Sequence, residues 1–157
     1  MFRSIPFAAL SAVAILCSAL GCIVPFAALS ALAALALSRR GGLAVIAAAW
    51  ACNQAIGFLY KHYPHDPSTI AWSIGLGVAA FAAYGIARLF ARNPAAAFAG
   101  AFIAFELTLV LFSVRLGGWG AYAPRILITL FAINAAWFAA AIVSGKAYRA
   151  LGLDAAR

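Results

Sequence analysis

The chain has 157 residues, of which 68% are hydrophobic and 9% charged, with a mean hydropathy of +1.05; soluble domains carry about 25% charged residues, so an ordinary soluble fold is excluded. Eleven Lys and Arg against three Asp and Glu give a formal charge of +8, yet no basic patch is interleaved with aromatics and no nucleic-acid motif occurs, so nucleic acid is not an expected partner. The lipid bilayer is the expected partner, and the basic residues are read as determinants of topology.

Crossing the hydrocarbon core takes about 20 helical residues. Residues 5–38 contain no charge, which at about 1.5 Å per residue is too long for one straight crossing. A turn near Gly21, Cys22 and Pro25 is therefore predicted to divide this stretch into spans at 5–20 and 23–38. Four more spans are predicted at 42–60, 69–87, 95–114 and 126–143. The expected fold is an all-α integral membrane protein, a six-transmembrane-helix bundle forming a single membrane domain over residues 1–157.

Cytoplasmic loops carry the excess of Lys and Arg. With the N-terminus inside, Arg3, Arg39, Arg40, Arg88, Arg92, Lys146, Arg149 and Arg157 fall on the cytoplasmic side and Lys61, Arg115 and Arg125 outside, eight against three. Both termini are expected in the cytoplasm, in a multi-pass protein of the inner (plasma) membrane. A rival account of the first span is open: Arg3, the apolar run and Ala19-Leu20-Gly21-Cys22 resemble a bacterial signal peptide with a lipoprotein-type cleavage site, although Ala rather than Leu stands three residues before the cysteine. Cleavage would leave five spans in the same orientation.

The segment Pro6-Phe-Ala-Ala-Leu-Ser-Ala12 recurs as Pro25-Phe-Ala-Ala-Leu-Ser-Ala31, a copied helix start or a coincidence, and too short to mark an inverted-repeat transporter. Small residues spaced four apart, Ala8 and Ala12, Ser73 and Gly77, Ala97 and Ala101, let helix backbones approach closely in lipid. They serve either packing within the bundle or docking to another membrane subunit.

In the third span Trp50, Asn53, Gln54, Gly57 and Lys61 share one helical face, with Cys52 on its flank. Amides in hydrocarbon must find partners, at a cost of several kcal/mol otherwise. Asn53 and Gln54 therefore bond either neighbouring helices or a ligand. Glu106 is the one acid within a span and lies at a depth comparable to Asn53 and Asn134; it is expected to be protonated or paired, with Gln54, Asn53, Asn134 or a cationic or amide-bearing ligand as partner, so a buried structural hydrogen bond and a functional role are both open for it. In the loop between the third and fourth spans, His62, His65 and Asp66 form H-x-x-H-D, read either as a metal site or as interfacial residues that cap helices and meet headgroups. The second outer loop, Arg115 to Arg125, is glycine-rich and carries Trp119 and Tyr122, suited to anchoring at the interface or to closing over a ligand. The three cysteines, Cys17, Cys22 and Cys52, form no C-x-x-C pattern. With no G-x-S-x-G, H-E-x-x-H, phosphate loop or pair of acids, no enzymatic activity is expected.

Six short spans, both termini inside, the Ala8-x-x-x-Ala12 first helix and an outward polar site together resemble the substrate-binding S components of energy-coupling-factor vitamin transporters. Among these the chain looks most like the solitary cobalamin-uptake type known as BtuM. The resemblance implies capture of a vitamin at the outer face and docking through Ala8 and Ala12 on a transmembrane coupling subunit. It implies no tightly bound cofactor, cobalamin or another corrinoid being the transported ligand. Cys52 would then ligate cobalt, with His62 or His65 as substitutes. The substrate-binding set expected on this basis is Trp50, Cys52, Asn53, Gln54, Glu106, Trp119, Tyr122 and Asn134. Two further classes remain beside it: a non-transporting membrane subunit whose polar face holds a partner helix, and a metal-ion carrier using His62, His65 and Asp66.

Overall fold

The computed structural model describes residues 24–150, with side chains through residue 145. Five α-helices follow in order: α1 (Phe26–Ala36), α2 (Arg39–Ala55), α3 (Pro67–Leu89), α4 (Pro94–Leu116) and α5 (Pro124–Ala150). A π-helical turn, Ile56–Tyr60, continues α2, and a 3₁₀ turn, Trp119–Tyr122, precedes α5. No strand occurs among the described residues. Arg39–Tyr60, Pro67–Leu89, Pro94–Leu116 and Pro124–Gly145 are each long and apolar enough to cross a membrane, and the chain is an all-α, multi-pass membrane protein. The predicted span 5–20 lies outside the described residues, as do its signal-peptide reading, Ala8 and Ala12, Cys17 and Cys22.

The stretch predicted as a span at 23–38 forms a helix of only 11 residues, about 16 Å at 1.5 Å per residue and roughly half the thickness of the hydrocarbon core. Its limits are set locally. Pro25 precedes the first turn and has no N–H to place, Leu37 is extended, and Ser38 leaves the helix to cap α2, its Oγ accepting from Gly41 N at 3.2 Å. Every residue from Phe26 to Ala34 is buried, as expected of a helix that is apolar all round. All four long helices pack against α1, so it is the axis of the bundle. Its Ala and Ser side chains make this possible by letting four neighbours approach closely.

Polar side chains finish what α1 leaves unsatisfied. Arg88 Nη1 of α3 donates to the carbonyls of Ala34 and Leu37 at 3.0 and 3.1 Å, placing a cation at the negative end of the helix dipole. Ser30 Oγ donates to Ala80 O at 3.2 Å. Close approach is equally visible between α2 and α3. Tyr84 lies over Gly42 and donates to Arg39 O, while Trp50 lies over Gly77 and donates Nε1 to Ser73 O at 2.9 Å. The Ser73 and Gly77 pair thus receives Trp50, and Ala97 and Ala101 are fully buried in the core; both small-residue pairs serve packing inside the chain. Phe98 and Phe102 of α4 join α5 through Phe131 and Phe138, with ring centroids 4.9 to 5.7 Å apart. The opposite faces of α4 and α5 expose Ile103, Leu107, Leu111, Ile128 and Val143, the surface a bilayer covers.

Candidate ligand cavity

The site begins where α2 changes pitch. Ile56 N–H is shared between the Asn53 and Cys52 carbonyls, and Lys61 N then reaches back five residues to Ile56 O at 2.9 Å. Such π turns widen a helix and concentrate at functional sites. Here the wider turn keeps Asn53, Gly57 and Lys61 on a common side of the helix, facing one cavity. His62, at φ 53°, reverses the chain in the left-handed region that His tolerates better than most residues. Tyr63 N then bonds Gly57 O at 3.1 Å, and the Tyr63 ring comes down on Gly57, where a Cβ would stand 2.8 Å from it. The glycine is required by that contact.

The rest of the loop is committed to structure. Asp66 caps α3, accepting from Thr69 N and Thr69 Oγ1, both at 2.9 Å. The Thr69 backbone bond first and its hydroxyl second hold the Asp66 carboxyl below its ordinary 3.8. His65 packs on Phe58 at 5.2 Å between centroids. Among the described residues no three His, Cys, Asp or Glu side chains gather as a metal site would need, so His62 and His65 are not joined there by a third donor.

A cavity of about 330 Å³ opens at the end of the bundle that carries this loop and the 117–123 loop. Val24 and Phe26 contribute to it from the start of α1; Asn53, Ile56, Gly57 and Lys61 from α2 and its π turn; and Tyr63 from the loop. Leu76 of α3 and Phe105, Glu106 and Leu109 of α4 form further wall. Ala121, Tyr122, Leu130 and Asn134 line it as well. Phe26 stacks on Phe105 at 5.9 Å, so α1 and α4 present a joint aromatic surface.

Four of the eight substrate-binding residues predicted from the sequence, Asn53, Glu106, Tyr122 and Asn134, meet in this cavity from four separate segments. Asn134 is buried; its Oδ1 accepts from Ala28 N at 3.1 Å and its Nδ2 donates to Leu130 O at 3.0 Å. Glu106 is half-buried and is paired with no basic residue among those described. Burial raises the Tyr122 phenol above its ordinary 10.0, the Glu106 charge adds to the rise, and a hydrogen bond with the Ser113 side chain opposes it.

The other four lie apart from the cavity lining. Trp50 is turned to α3 by its bond to Ser73 and its seat on Gly77. Cys52 is a half-buried free thiol outside the lining. Gln54 also lies outside it, its Nε2 buried without a hydrogen-bond partner among the described residues. Trp119, 57% exposed, meets Tyr122 edge to face at 6.3 Å but does not line the cavity. Sequence reasoning overlooked Tyr63, Phe26 and Phe105. Only Phe105 had a legible signal, as an aromatic adjoining the one intramembrane acid.

Among the described residues the cavity thus combines one carboxyl, one rim ammonium, two amides, two phenols and an apolar remainder, a lining suited to holding an organic molecule. No family model, curated protein or solved structure matches this chain.

Proposed function

We propose that this protein is a membrane uptake protein of the S-component type, which binds a vitamin-sized molecule in the cavity between its two loops. The observation that carries the reading is the convergence of Asn53, Glu106, Tyr122 and Asn134, from four segments, on one concave site. An apolar pocket with a few convergent polar groups is the general form of a small-molecule site. The distribution of Lys and Arg supports an outward-facing mouth and an inner-membrane location, with both termini cytoplasmic and span 5–20 completing the bundle. Docking through Ala8 and Ala12 on a coupling subunit belongs to the same proposal.

The volume favours a ligand smaller than a corrinoid. About 330 Å³ is near the lower end of the ~300–1,000 Å³ typical of ligand pockets, and Cys52 stands outside the lining. A vitamin or precursor with one or two rings fits this space better than a macrocycle with its nucleotide loop. The test is equilibrium binding of the purified full chain in detergent to thiamine, biotin, riboflavin, pantothenate and cobalamin, with Asn53→Ala alongside. Saturable binding of one small vitamin, weakened by Asn53→Ala, is the expected result; no saturable binding to any of them overturns the reading.

A further inference from the structure

Among the described residues Glu106 is the one acidic side chain lining the cavity, and no Lys, Arg or His pairs with it. Lys61, the one basic side chain in that lining, is exposed at the rim. Asn134 already spends one acceptor site on Ala28 N and one donor on Leu130 O, and as a neutral amide it brings no charge. Among the described residues the inner part of the cavity therefore presents one carboxyl group and no cationic side chain. At membrane depth such a group pairs with a cation or is costly to keep ionised. A ligand bringing positively charged N–H donors supplies counter-charge and hydrogen bonds together, the stronger kind of contact. A neutral ligand supplies hydrogen bonds alone, and an anion opposes the carboxylate.

The remaining lining selects for shape. Phe26 and Phe105 stack at 5.9 Å and Tyr63 sets one edge of its ring against Gly57, so aromatic rings share the apolar wall with Val24, Ile56, Leu76, Leu109 and Leu130. Aromatic faces receive flat bodies and attract cations. We infer that the cavity selects a small planar organic cation, an amidinium, guanidinium or heteroaromatic ammonium, whose N–H donors bind the Glu106 carboxylate while its flat body rests on Phe26, Phe105 and Tyr63. This rests on the uptake reading above and narrows its ligand to one chemical class.

Benzamidine, benzamide and benzoate share ring and outline and differ in charge, so calorimetric titration of the full chain in detergent micelles with these three probes isolates the charge. Benzamidine is expected to bind at least tenfold more tightly than benzamide, with benzoate weakest. Glu106→Gln is expected to lower benzamidine affinity at least tenfold and to leave benzamide nearly unchanged, while Glu106→Asp, which keeps the charge, retains the preference. Equal affinity for benzamidine and benzamide overturns the inference, as does a preference that survives Glu106→Gln or the lack of saturable benzamidine binding. The wild-type series decides the matter even if Glu106→Gln fails to fold. Saturable binding of a neutral or anionic vitamin without any cation preference overturns this inference and leaves the uptake reading standing; no binding of any vitamin or probe ends both.

Discussion

Asn134 accepts the Ala28 N–H across 106 residues of chain, at 3.1 Å, and so completes from α5 the buried first turn of α1. No side chain caps α1 from its own segment, and the first amides of any helix lack intrahelical partners. The same side chain lines the cavity, so the cavity wall and the anchor of the central helix are one residue.

Removing that acceptor leaves a buried N–H unpaired, which costs about 1–3 kcal/mol. Asn134→Leu is expected to lower stability by that amount in equilibrium unfolding of the detergent-solubilised protein. Asn134→Asp keeps an acceptor for Ala28 and is expected to recover most of it. Equal losses in the two variants would show that the bond to Ala28 does not hold the helix start.

At the other end of α1, Arg88 bonds two carbonyls at once. Arg88→Leu is expected to destabilise the bundle by roughly 2 kcal/mol, since charged hydrogen bonds contribute about 1.5–3 kcal/mol each in favourable settings. Arg88→Lys should restore only part of this, because an ammonium does not reproduce the guanidinium fork. Unfolding of both variants beside the wild type decides it.

Two glycines separate close packing from open surface. A Cβ at Gly42 would overlap the Tyr84 hydroxyl and ring, whereas one at Gly85 meets nothing within 4 Å. Gly42→Ala is expected to destabilise by about 1–3 kcal/mol through overpacking. Gly85→Ala is expected to stabilise by about 0.5–1 kcal/mol through helix propensity. Melting temperatures that move in the same direction for both would contradict the packing described.

Cys52 lies outside the cavity lining and Asn53 within it. With whichever vitamin binds, Cys52→Ala is expected to leave affinity within about twofold, and Asn53→Leu to weaken it about tenfold, the loss of roughly one good hydrogen bond. The reverse order would restore the thiol as a ligand.

Thr69 holds the Asp66 carboxyl below 3.8. A folded-state pKa depressed in this way makes the cap fully effective above the unfolded value and lost as pH falls through the folded one. Between about pH 5 and pH 2.5 the wild type is therefore expected to lose stability relative to Asp66→Asn, whose amide oxygen caps without titrating. A constant difference between their melting temperatures over that range would refute the cap's contribution.

Sequence alone was enough for the membrane class and for the long spans. The stretches read as 42–60, 69–87, 95–114 and 126–143 lie within Arg39–Tyr60, Pro67–Leu89, Pro94–Leu116 and Pro124–Ala150. Lipid imposes apolarity and internal backbone bonding on each segment separately, so the signal is local. Pro67 and Pro94 open two of these helices, with Asp66 and Asn93 as caps, and those boundaries too are written in neighbouring residues.

Which faces meet was settled only by the tertiary structure, because in a bilayer the packed face and the lipid face of a helix are both apolar and composition does not tell them apart. The stripe from Trp50 to Lys61 shows the consequence. Read as a uniform α-helix it is one polar wall. In the folded chain Gly77 admits the Trp50 ring and turns it to α3, the π turn at Ile56–Tyr60 resets the register, and Asn53, Gly57 and Lys61 alone of that stripe reach the cavity. The central place of α1 has the same origin: an 11-residue apolar stretch is locally a short span, and only four surrounding helices make it a core.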